Sequence, residues 1–120
     1  MKFLLIEQSW IKTMAVRPKM ASKVYKIFTE TEWRNFQDSG QFSGSSDDLR
    51  DGFIHLSTRE QVGGVVERFF AGIRPLYIAE FSGPAFIESL TWETSVSGEV
   101  YPHLYGGNLL ASNVTAFTGV

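Results

Sequence analysis

The stretch KVYKIFT, residues 23–29, is rich in β-forming residues and alternates in character, which predicts a strand with Tyr25 and Ile27 on one face and Val24 and Phe28 on the other. The period then changes. In TETEWRNFQDSG, Thr29 and Glu32 have capping-box spacing, Trp33 and Phe36 share one helical face, and Gly40 offers a stop, so a short helix follows. SGQFSGSSDDLRDG, residues 39–52, breaks both periods. Gly, Ser and Asp satisfy turns through φ > 0 or side-chain-to-backbone bonds, and the segment reads as a loop. Asp47, Asp48 and Asp51 do not match calcium-loop spacing and read as a solvated turn.

GFIHLST reads as a strand that runs straight into a helix in STREQVGGVVERFFAG. Thr58 with Gln61, or Ser57 with Glu60, supplies a second capping box, and Val62, Val65, Val66, Phe69, Phe70 and Ile73 recur at helical spacing. Gly63 and Gly64 each weaken such a helix by about 1 kcal/mol relative to Ala, which predicts a close approach to the backbone there, by a packed sheet or by another group. PLYIAEF (75–81) is a strand, and PAFIESLTWETSV (84–96) is a short connection and a strand through Trp92. EVYPHLYGGNL and NVTAFTGV supply two more, with Pro102 marking an edge or a bulge. Two main helices come early and strands cluster late, which argues for an α+β domain over a regular βαβ winding.

Composition limits what such a domain can be. At 120 residues the chain holds one core, and we expect an N-terminal extension or arm over 1–22 and a single domain over 23–120. The 43% hydrophobic and 20% charged make-up is that of a soluble protein, with no apolar run near the roughly 20 residues a membrane span needs. With no cysteine, disulfides, thiolate-held metals and a cysteine nucleophile are excluded, which fits a cytoplasmic setting. Glu7 interrupts the opening apolar run before it reaches signal-peptide length, and MASKVYKIFT, from Met20, would be a natural domain start. Residues 1–26 carry six Lys or Arg against Glu7 alone, whereas residues 27–120 carry five Arg against twelve Asp or Glu. An acidic body disfavours a nucleic-acid partner and leaves room for a small ligand.

The two histidines stand in FIHLST and YPHLYGG. Imidazole titrates near neutrality and serves as acid, base, donor or ligand with little tuning. His55 precedes Ser57 and Thr58, placed at a helix N-terminus whose N–H groups can seat an anion; the plainer reading is that both hydroxyls are caps. Glu93, in LTWETS, could act as a base, stabilise a developing cation or join the histidines in a metal site, or be an exposed strand-end carboxylate. Its spacing from His55 and His103 carries no local metal signature. No GxSxG, GxxxxGK[ST] or GxGxxG occurs.

YKIFTETEWRNFQDSGQFSGSSDDLRDGFIHLSTREQV, the VVERFF helix, LYIAEF, WE and YPHLYG together resemble the domain-of-unknown-function family 952 over residues 24–117. That family resembles a compact ADP-ribosyltransferase-like fold. The resemblance implies split, mostly antiparallel β-sheets with helices to one side and a cleft for NAD or a related nucleotide. In it, His55, Ser57 and Thr58 would hold the ribose and nicotinamide end and Glu93 would stabilise an oxocarbenium-like transition state. His103 and Tyr105 have no equivalent in the general fold and would line the cleft. The leading expectation is therefore an NAD-like or nucleotide-binding domain running ribosyl- or phosphoryl-linked transfer, with His55, Glu93 and His103 as catalytic residues. A non-catalytic interaction module fixed by a histidine network is the alternative, and a two-histidine, one-carboxylate metal enzyme the third.

Overall fold

The computed structural model describes residues 10–14 and 22–120. Strand β1 (Trp10–Met14) falls inside the expected N-terminal extension, of which residues 1–9 and 15–21 lie outside the described ones. Then follow β2 (Lys23–Thr29), α1 (Glu30–Ser39), β3 (Gln41–Phe42), α2 (Ser46–Asp51), β4 (Ile54–His55), a 3-10 turn (Arg59–Gln61) and α3 (Val62–Phe69). The chain continues through β5 (Leu76–Ser82), α4 (Pro84–Glu88), β6 (Thr91–Ser95), β7 (Val100–Leu104), β8 (Leu109–Leu110) and β9 (Val114–Gly119). The strands form a four-stranded sheet in the order β1-β6-β7-β4, a three-stranded sheet β2-β5-β9 and the pair β3-β8. All pairings are antiparallel, so the architecture is α+β with antiparallel sheets.

Helix α1 forms as its sequence predicts. Glu32 N–H donates to Thr29 Oγ1 at 3.3 Å and Thr29 N–H to Glu32 Oε1 at 2.9 Å, while Gly40 ends the helix at φ 81°. Its apolar face carries Trp33 and Phe36 onto Phe28 of β2, with the Phe28 and Phe36 rings stacked 5.1 Å apart and Phe42 edge-on to Phe28 at 5.0 Å. The core extends through Phe81 to Ile54, Leu56, Trp92 and Leu104 of the other sheet, so both sheets share it.

Residues 39–52 are not a plain loop. Ser45 caps α2 in a capping box with Asp48, the S-x-x-D spacing that the surrounding Gly and Ser obscured, and Asp48 is 2% exposed rather than solvated. The helical pattern over 58–73 also resolves differently: a 3-10 turn precedes an eight-residue α3, and the described residues hold four α-helices rather than two main ones. A Cβ added at Gly63 or Gly64 would meet nothing within 4 Å among the described residues, so neither close packing nor close approach by these accounts for the two glycines. Pro102 lies in β7, between β6 and β4, rather than at an edge. Its carbonyl accepts from Leu56 N–H at 3.1 Å. In an antiparallel ladder a residue's N–H and C=O point the same way, so the donor that proline lacks would face the end of β4, where pairing stops.

Candidate functional site

Strand parity gathers the chemically capable residues. His55 of β4 lies directly opposite His103 of β7, and Glu93 of β6 lies opposite Tyr101, two residues away. Cross-strand partners share a sheet face and successive residues alternate. The odd-numbered residues Phe53, His55, Ser57, Glu93, Ser95, Tyr101, His103 and Tyr105 therefore fall on one face, and Ile54, Leu56, Trp92 and Leu104 fall on the core face.

Two histidine–carboxylate clusters result. His103 Nδ1 lies 2.6 Å from Glu93 Oε1, which also accepts from the Tyr105 hydroxyl at 2.8 Å. Both His103 and Glu93 are buried, whereas Tyr105 is 41% exposed. Burial, then the hydrogen bond to Glu93 and its charge, push the Tyr105 phenol up to about 12. In the second cluster His55 Nδ1 meets Asp48 Oδ1 at 2.6 Å and Nε2 meets Asp51 Oδ2 at 2.9 Å. The rings of His55 and His103 are 5.6 Å apart, and Phe53 lies against both, at 4.6 Å and 4.0 Å, the latter stacked.

Asp48 is the hub of the second cluster. Its carboxylate accepts from Lys26 Nζ at 2.9 and 3.2 Å, from His55 N–H at 3.1 Å and from Ser45 N–H at 2.9 Å. Burial alone would raise its pKa, but the Lys26 ammonium, then His55 and the Ser45 N–H, outweigh it and hold the carboxyl far below the usual aspartate range. Lys26 also donates to the His55 carbonyl at 3.0 Å.

A cavity of about 330 Å³ opens between the sheets. His55, Ser57, Asp48 and Tyr101 line it on one side, Tyr25 and Ile27 from β2 on another, and Val65, Arg68 and Phe69 of α3 cover it. Arg68 Nη2 donates to the Tyr101 hydroxyl at 3.0 Å. His103 adjoins the cavity, but no part of it is exposed to solvent, so it backs the floor. Glu93, Tyr105 and Thr58 do not line it. The phosphate seat expected at Ser57 and Thr58 is already filled on two counts: Ser57 N–H donates to the Tyr25 carbonyl at 2.9 Å, and Thr58 N–H to Gln61 Oε1 at 3.0 Å. Among the described residues no group of three or more His, Cys, Asp or Glu is arranged to hold a metal ion.

Sequence reasoning missed Lys26, Asp48, Asp51, Phe53, Arg68 and Tyr101. Parity around His55 and His103 points to Phe53 and Tyr101, and the S-x-x-D cap points to Asp48. Nothing local marks Lys26, which pairs with Asp48 across 22 positions.

Comparison with known proteins decides the family. The profile of a family described as "Protein of unknown function (DUF952)" matches residues 27–117. The chain belongs to the DUF952 family. It is similar, at 39% identity, to protein CC0527 from Caulobacter crescentus, whose crystal structure aligns over 82% of this chain and 85% of that one with a TM-score of 0.75. The solution NMR structure of CC0527 aligns over 80% and 82% with a TM-score of 0.69. No curated protein matches the chain. These similarities give the family, not the ADP-ribosyltransferase relation. No helix among the described residues is long and apolar enough to cross a membrane.

Proposed function

We propose that this DUF952 domain binds a small nucleotide-type ligand, NAD or a fragment of it, between its two sheets, and that His55 is the wall group that orients it. The observation that carries this reading is the 330 Å³ cavity, bounded by apolar side chains of α3 and β2 and by a histidine whose ring is oriented by a buried carboxylate. Ligand sites generally combine an apolar wall of this kind, with volumes of about 300–1,000 Å³, and a few convergent polar groups. A carboxylate that fixes an imidazole's orientation is the recurring support for proton transfer and for cation stabilisation. In this reading ribosyl-linked transfer suits the cavity wall better than phosphoryl transfer does. Glu93 acts in this reading through His103, since its carboxylate is committed to His103 and Tyr105 behind the floor.

Complete burial of His103 favours a second role for that cluster, a polar network that fixes the fold. Titration calorimetry with NAD, ADP-ribose, AMP and adenosine separates the two. The ligand reading expects saturation by at least one of them and a loss of about tenfold in affinity in His55→Gln, with the unfolding midpoint of that variant near the parent's. Absence of saturation by every ligand at millimolar concentration would leave only the structural role.

A further inference from the structure

We infer that the cavity recognises the neutral, hydroxyl-bearing part of such a ligand, a ribonucleoside, and does not seat a phosphate. The inference rests on the ligand reading above and narrows it. Phosphate recognition needs uncommitted N–H groups or clustered cations, and of the cations on this wall Arg68 donates to the Tyr101 hydroxyl at 3.0 Å. Lys26 spends its ammonium on the Asp48 carboxylate and the His55 carbonyl. His55 meets a carboxylate at each ring nitrogen. The N–H groups of Ser57 and Thr58, the natural anion seat of this motif, go to Tyr25 and Gln61.

What the wall presents instead suits a sugar. Asp47 lines the cavity, placing a carboxylate where a ligand hydroxyl could donate and a phosphate would be repelled; its Oδ1 also accepts from Arg50, and the neighbouring Asp48 carboxylate is spent within the protein. Ser57 and Ser97 add hydroxyls, which donate and accept alike. Facing them, Ile27, Val65 and Phe69 form an apolar surface for a planar base. Size agrees. A cavity of about 330 Å³ lies at the small end of the roughly 300–1,000 Å³ range of ligand pockets, which favours a compact ligand.

The test is calorimetry on the full chain with adenosine, uridine, AMP, NAD and inorganic phosphate as probes. Adenosine or uridine is expected to saturate at least tenfold more tightly than AMP, inorganic phosphate to give no saturation, and the nucleoside affinity to be insensitive to added salt. Ser57→Ala, which keeps the backbone pair with Tyr25, is expected to weaken the nucleoside about tenfold while leaving the unfolding midpoint within a few degrees. AMP or inorganic phosphate binding more tightly than either nucleoside overturns this inference and leaves the ligand reading standing. No binding by any of the five overturns the ligand reading itself.

Discussion

Replacing Asp48 by Ala removes one carboxylate and strands a charge. The Lys26 ammonium, on a residue only 7% exposed, then loses its counter-ion, and breaking a buried pair from one side costs about 3–5 kcal/mol. The same carboxylate closes the capping box of α2, a contact of about 1 kcal/mol. Because both effects share one side chain they do not add fully, and the expected loss is about 4 kcal/mol, a large share of the roughly 5–15 kcal/mol that holds a domain together. Urea unfolding at neutral pH, followed by tryptophan fluorescence, measures it. The double variant Lys26→Met/Asp48→Leu removes both charges and is expected to recover at least about half of the loss, since apolar replacement of a buried pair is often neutral. Acid adds a second reading of the same group. The folded-state pKa of Asp48 is depressed, so its contribution is complete above the ordinary aspartate value of about 3.9 and is lost as pH falls below it. A cost below about 1 kcal/mol for Asp48→Ala, or an acid limb unchanged in the double variant, would refute the argument.

Gly63→Ala and Gly64→Ala each fill open space on a helix and are expected to raise stability by about 0.5–1 kcal/mol, read as a higher denaturant midpoint. Phe28→Ala empties the centre of the aromatic cluster and is expected to cost about 3–5 kcal/mol in the same assay. Tyr105 has a folded-state pKa raised to about 12, so its bond to Glu93 contributes fully below the ordinary tyrosine value of about 10 and is lost as pH rises toward about 12. The stability gap between the parent and Tyr105→Phe, measured across that alkaline window by unfolding, should shrink with rising pH; a constant gap would count against the bond.

Local signals carried much of the fold. Thr29, Glu32, Trp33 and Gly40 define α1 because capping, amphipathicity and a left-handed stop all fall within one short stretch. The alternation of β2 was legible for the same reason, with Val24 and Phe28 in the core and Tyr25 and Ile27 on the cavity. Asp48 was not, because acidic and small residues in a row read as solvated and its burial depends on a lysine of β2, far away in sequence. The helix after Thr58 was overextended because its apolar stripe faces a cavity, where no residue of α3 is fully buried. Convergence of His55, His103 and Glu93 on one face follows from pairing register, which periodicity within a single strand does not reveal.

The stretch from His55 to Ser57 passes from one sheet to the other. His55 pairs with His103, and two residues later Ser57 exchanges both backbone hydrogen bonds with Tyr25, at 2.8 and 2.9 Å. Mechanically this is a latch one peptide pair wide, set at the cavity wall. Any motion that parts β2 from the four-stranded sheet at this point must first open it. Deuterium uptake at the Tyr25 and Ser57 amides is therefore a gauge of how often the cavity gapes, and a molecule that wedges between the sheets and one that clamps them shut would move that gauge in opposite directions.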